Sequence, residues 1–172
     1  MSKPKILVAD SGDQTQVRVA GRGTFVTAGI VRDFAMKRMD EGARIFLFDL
    51  SECPSLDSTF MGVLATIALR GRKRSAAVQI VNANSKIEQA TRILGLKELF
   101  VFSHTEGGSG DWTELSSAVG DSPEDESARR RMILAAHETL AGVHPDNEPR
   151  FRDLIDMMRI EINGNSGTAP PA

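Results

Sequence analysis

The sequence predicts an α/β fold: a mixed sheet of four or five strands with helices mainly on one face, followed by a C-terminal helical hairpin. Three observations carry that expectation. Strand-like and helix-like segments alternate through the first two-thirds of the chain. The segment Ile45–Phe48 is a near-continuous apolar run, as in a central strand buried on both faces. After Gly120 the alternation stops, and two apolar stripes at helical spacing take its place.

Taken in order, Lys5–Ala9 reads as a strand, and Gln16–Phe25 as a second, with Val17 and Val19 alternating with polar residues. Gly21 and Gly23 mark a bend or bulge in it. Thr27 is a candidate cap for a helix running to about Gly42, with Ile30, Val31, Phe34, Ala35 and Met39 at helical spacing. The strand Arg44–Leu50 follows, then a loop over Ser51–Leu56. A helix starts around Ser58 and continues through Met61, Leu64, Ala65, Ala68 and Leu69. Ala76–Val81 is another strand, and Asn82–Ser85 a turn and cap. The helix Lys86–Leu94 stops at Gly95. Leu99–Phe102 reads as a last short strand, the glycines at 107, 108 and 110 as a loop, and Asp111–Ser117 as a short helix.

The tail has a clear helix start at Ser122-Pro123-Glu124-Asp125: a capping serine, proline at the first position, and acids in the first turn. Met132, Ile133, Ala136, Leu140 and Val143 form the first stripe. His144–Pro149 breaks the chain, and Phe151, Leu154, Ile155, Met158 and Ile162 form the second. These features divide the chain into an α/β unit over 1–117, a hairpin over 122–163 and a disordered tail over 164–172. The stripes need burial, on the α/β unit or in a homodimer.

Composition narrows the function. A net charge of −2 gives no basic face for direct nucleic-acid binding. The basic runs Arg70–Arg74 and Arg129–Arg131 lie inside helical patterns, where such runs are usually solvated faces. Cys53 is the only cysteine, so no internal disulfide or cysteine metal cluster can form, and a cytoplasmic location is expected. The run Ile6–Ala9 is too short for a signal core, and no stretch reaches the length of a membrane span. His104, His137 and His144 lack metal-ligand spacing. A lowered thiolate pKa is conceivable for Cys53, near a helix start, although a lone cysteine is more often a packing residue. Gly107-Gly108-Ser109-Gly110 lacks the ending of a phosphate-binding loop. No catalytic set, metal site or cofactor site emerges, and the chain reads as a non-enzyme.

The informative segment is Phe48–Leu64, FDLSECPSLDSTFMGVL. A buried strand ends in Asp49, a loop follows, and Asp57-Ser58-Thr59 meets the start of a helix with Gly62 one turn in. A hydroxyl there sits beside unpaired N–H groups and the positive end of the helix dipole, a good place for a phosphate. The dipole contributes only about 0.3–1 kcal/mol. A phosphate would therefore change the charge of the surface by roughly −1.5 to −2 without unfolding the helix. The plain alternative is that Asp57 and Ser58 simply cap the helix.

Asp49-Leu50-Ser51, then Asp57-Ser58-Thr59, then Gly62-Val63-Leu64 resemble the pattern of the STAS family, the sulfate transporter and anti-sigma factor antagonist domains. The resemblance spans about Lys5 to Ser117 and includes Ile93-Leu94-Gly95-Leu96 before the final strand. It implies an anti-sigma factor antagonist, a partner-switching phosphoprotein that regulates transcription through protein partners. The partner implied is an anti-sigma factor that is also a serine kinase, a GHKL-type ATPase, with a PP2C-type phosphatase to reset the switch. On this reading Ser58 is the phosphoacceptor, Thr59 a second candidate, and Asp57 positions the hydroxyl. Phe60 stands where many members have glycine. With Met61, it is a candidate interface anchor if exposed. The alternative is a constitutive STAS scaffold, stressosome-like or part of a lipid-transport complex, that is not phosphorylated. Nothing in the sequence marks a nucleotide or lipid pocket.

Overall fold

The computed structural model describes residues 3–106, 110–116 and 123–165. The elements run β1 (Lys5–Ser11), β2 (Gln14–Ala20), α1 (Phe25–Asp40), β3 (Ile45–Asp49), α2 (Ser58–Lys73), β4 (Ala77–Val81), α3 (Ser85–Ile93), β5 (Val101–Ser103), β6 (Thr113–Leu115), α4 (Pro123–Val143) and α5 (Asn147–Asn165). Among the described residues the strands form one mixed sheet in the order β5-β4-β3-β2-β1-β6. β2 to β5 are parallel, while β1 is antiparallel to both its neighbours.

Alternation places the core. Val17 and Val19, Phe46 and Phe48, and Val78 and Ile80 are buried in one cluster with the helices, while Gln16, Arg18, Leu47 and Gln79 between them are half-buried. α1 and α2 lie beside one another on the sheet, and α4 lies across α2, paired with α5. Met132, Ala136, Leu140, Phe151 and Ile155 belong to the same buried cluster as the sheet. The inner faces of the hairpin helices thus add a layer to one continuous core. Asn147 fastens it: its side-chain amide donates to the Leu140 carbonyl (2.9 Å) and to the Leu94 carbonyl at the end of α3 (2.8 Å).

The structure departs from the sequence-based expectations at several places. The sheet has six strands, not four or five, because residues 113–115 pair with β1 where a short helix was expected. β1 would otherwise present a bare edge of N–H and C=O groups. β6 covers part of it, places Leu115 opposite Ile6, and adds an ion pair between Lys5 and Glu114 (3.2 Å). The expected second strand is cut at Ala20, since Gly21 adopts φ +94 and turns the chain. The cap of α1 is Thr24, not Thr27. The break after α4 is only His144–Asp146, because Pro149 falls in the first turn of α5, where its missing N–H costs little. α5 continues through Gly164 to Asn165. The rest of the expected tail, the unit boundaries at 117 and 122, the capping Ser122 and the loop residues 107–109 lie outside the described residues. Among the described residues, no helix is long and apolar enough to cross a membrane.

Candidate functional site

Two helix starts converge after β3. Gly23 and Leu56 form an isolated parallel bridge, in which Gly23 N–H donates to the Ser55 carbonyl (2.9 Å) and Asp57 N–H to the Gly23 carbonyl (2.8 Å). A Cβ on Gly23 would stand 2.4 Å from a side-chain methyl of Leu56, so a larger residue here would require Leu56 to shift. The bridge sets Asp57 between the two helices. Its Oδ1 accepts from Phe60 N–H and its Oδ2 from Phe25 N–H, both at 2.8 Å. One carboxylate therefore caps α2 and satisfies the first N–H of α1, and its charge is balanced by the positive ends of both dipoles.

Ser58 is the first residue of α2 and is half-buried. Its Oγ lies 2.9 Å from Nε2 of His137, a residue of α4 that is 3% exposed. His137 Nδ1 is 2.8 Å from the carbonyl oxygen of Ile133, one turn back on the same helix. The ring packs edge-on against Phe151 of α5, with centroids 5.4 Å apart. One turn further along α2, Gly62 allows α4 to approach. A Cβ there would stand 2.4 Å from the Ala136 carbonyl oxygen. Beyond that, the Thr66 hydroxyl is 2.8 Å from the Gly62 carbonyl and 3.1 Å from the Thr139 hydroxyl.

The remaining expected residues fall into two groups. Thr59, at 5% exposure, and Phe60, at 0%, are buried, and Met61 is buried with them. Phe60 is a core residue, not an interface anchor, because α2 is enclosed by the sheet on one side and α4 on the other. Of the hydroxyl pair, Ser58 is the one open to solvent. Phe25 (42%) and Val26 (58%) are exposed at the start of α1, whose first N–H is held by Asp57; Phe25 is helical where the sequence suggests the end of a strand.

Asp49 has a structural role. Register places it opposite Arg18 of β2, and the two pair at 2.8 Å, with Arg18 also lying 4.3 Å over the Trp112 ring. Burial alone would raise the Asp49 carboxyl, but hydrogen bonds from Ser51 and the pairing with Arg18 outweigh it and hold the group below its ordinary value. A lowered native pKa stabilises the fold above the ordinary value of 3.8, and the contribution disappears as the pH falls below it. Asp49→Asn is therefore expected to lose stability at pH 7 and to flatten the acid fall of the melting temperature. A parallel fall in both proteins would count against this. Cys53 is buried with its thiol directed at the Ser55 carbonyl (3.3 Å), and burial pushes its pKa up, the opposite of an activated thiolate.

The sequence model of the family described as "Mlab, STAS domain" matches residues 6–101, more than half of the chain. The chain belongs to the STAS family. Among curated proteins none matches it. Solved structures share the fold at low identity. A Thermotoga maritima protein described as an anti-sigma factor antagonist superposes with a TM-score of 0.53 at 17% identity, over 57% of this chain and 85% of that one. An anti-sigma factor antagonist from Mycobacterium paratuberculosis gives 0.52 at 21%, over 59% and 86%. The anti-sigma factor antagonist SpoIIAA in its unphosphorylated form gives 0.52 at 11%, over 56% and 86%. The STAS match ends at residue 101, so β6 and the hairpin, with His137, lie beyond it. The spacing of the three histidines in the sequence suggests no metal site. The available signal was a titratable residue set between Ala136 and Leu140 on the inward stripe of α4.

Proposed function

We propose that this STAS protein is a partner-switching regulator of the anti-sigma factor antagonist kind, with residues 1–117 as the STAS unit and 122–163 as an added hairpin. Unphosphorylated, it captures an anti-sigma factor that is also a serine kinase of the GHKL-type ATPase class. Phosphorylation at Ser58 releases that partner, and a PP2C-type phosphatase restores the binding form. The observation that carries this reading is the position of Ser58: a half-buried hydroxyl at the first residue of a 16-residue helix, following the capping Asp57 and close to the exposed Phe25 and Val26. Such a setting accepts a phosphate without unfolding and presents its charge to a docked partner. The experiment is peptide mass spectrometry of the protein taken from its native cell, and again after incubation with the kinase and ATP. One phosphate on Ser58 is expected, with none in Ser58→Ala. A mutant labelled as well as wild type would remove Ser58 as the acceptor.

One observation favours a second reading. α4 covers α2 through Gly62 and Ala136 and already holds the Ser58 hydroxyl. A STAS subunit whose α2 face is filled by its own tail suits a constitutive scaffold, stressosome-like or in a lipid-transport complex, that binds partners regardless of phosphate. Partner affinity measured with and without phosphate separates the two.

A further inference from the structure

We propose that Ser58 is an activated nucleophile: His137 takes its hydroxyl proton, and the Ile133 carbonyl orients the imidazole. The proposal deepens the phosphoacceptor reading and rests on it only for the identity of the natural electrophile.

In the neutral imidazole the hydrogen-bond chemistry leaves one arrangement. The Ile133 carbonyl can only accept, so His137 carries its proton on Nδ1 and donates it there. Nε2 then keeps its lone pair, and the Ser58 O–H must be the donor across the 2.9 Å contact. Nucleophile, base and orienting group are in hydrogen-bond reach in sequence, which is the arrangement that activates a serine. The ring has little freedom to leave it, being almost fully buried and packed on Phe151. Gly62 sets the separation, since any side chain there would push Ala136, the neighbour of His137, away from α2.

The charged groups around the pair are engaged elsewhere. Asp57 binds Phe25 N–H and Phe60 N–H. Glu138, next to His137, pairs with Arg159 of α5, and Arg152, next to Phe151, pairs with Glu148. The imidazole therefore acts on Ser58 with no carboxylate in competition for Nε2 among these contacts.

In the step itself, Oγ forms a bond to the phosphorus of a nucleoside triphosphate held by the partner kinase. The bond from that phosphorus to the nucleoside diphosphate breaks, and its electron pair leaves with the diphosphate. The serine proton passes to His137 Nε2. The imidazolium then lies beside the new phosphoserine and donates a charge-assisted hydrogen bond to it.

The test needs no kinase. Diisopropyl fluorophosphate reacts by the same displacement: Oγ–P forms, P–F breaks, fluoride leaves and the proton goes to His137. With the full chain, peptide mass spectrometry is expected to place the adduct on Ser58, and Ser58→Ala is expected to lose it. The rate is expected to rise with pH, as for general-base assistance. His137→Gln can still accept the serine hydrogen bond but cannot take the proton. It is expected to react about 100-fold more slowly, with a flat pH profile. Nitrogen NMR of the unmutated protein supplies a measurement that does not depend on any variant folding, and is expected to show the Nδ1-protonated tautomer. An Nε2-protonated ring, or an unchanged rate and profile in His137→Gln, would overturn the proposal. Fluorophosphate labelling of wild type with no phosphate ever found on Ser58 would support the activated serine and sink the phosphoacceptor reading. Cellular phosphate on Ser58 with His137→Gln labelled like wild type would do the reverse.

Discussion

Leu140→Asp is expected to lower the unfolding free energy by about 3–5 kcal/mol, the scale for a buried charge without a partner. Leu140 is fully buried in the last turn of α4, in one cluster with the sheet and α2. Its backbone carbonyl is also held by Asn147. Phe151→Asp should cost less, about 2 kcal/mol, although it removes a larger side chain, because the new carboxylate would stand against His137 and could pair with it. The ranking is the informative part: a peripheral hairpin would tolerate both changes, and a hairpin sharing the core should tolerate neither. Urea unfolding of the two variants and wild type measures it. Unchanged midpoints would mean that the hairpin is not part of the cooperative unit.

The sequence shows the layers of this protein better than their joints. The apolar run of β3, the Asp57-Ser58 helix start and the two tail stripes were legible because each is a local pattern of a few residues. α2 carries a subtler signal. From Thr59 to Ala65 every residue is buried, so its apolar character runs all round the helix instead of along one stripe. That pattern implies cover on two sides, and the tail stripes are the cover. What no local pattern gives is register across the chain. Ser58 and His137 are 79 residues apart, and their meeting depends on how α4 crosses α2 at Gly62. β6 was missed for a related reason. Three residues are too few for a periodicity, and their strand form is imposed by the open edge of β1. Phe60 was ambiguous because a helix buried on both sides gives an aromatic no outward direction to prefer. The start of α1 was misplaced because Thr24 and Thr27 are both good caps, and only the Gly23–Leu56 bridge decides between them.

Phosphorylated protein should bind the kinase-type partner at least about thirtyfold more weakly than unphosphorylated protein, with its melting temperature within a few degrees of the unmodified form. In the free chain the new charge lies at the start of α2, where the dipole favours it by about 0.3–1 kcal/mol. His137 stands beside it as a potential hydrogen-bond donor once protonated. The nearest carboxylate, Asp57, has its oxygens engaged by Phe25 N–H and Phe60 N–H, which limits repulsion. In the complex, a partner seated on Phe25 and Val26 would strip water from the phosphate, and an uncompensated buried charge costs about 2–5 kcal/mol. A thirtyfold loss corresponds to about 2 kcal/mol. Phe25→Ala supplies the matching test of the surface. It removes an exposed aromatic at the start of α1 while leaving its backbone N–H on Asp57, so affinity should fall by about tenfold or more with little change in melting. Ser58→Asp is a weaker substitute, since it brings one charge instead of nearly two. Calorimetric titration of the partner with phosphorylated, unphosphorylated and Phe25→Ala protein reads all three. Equal affinity for the two phosphorylation states would remove the switch and leave the constitutive scaffold. A large loss with phosphate but none with Phe25→Ala would keep the switch and move the docking surface away from the start of α1.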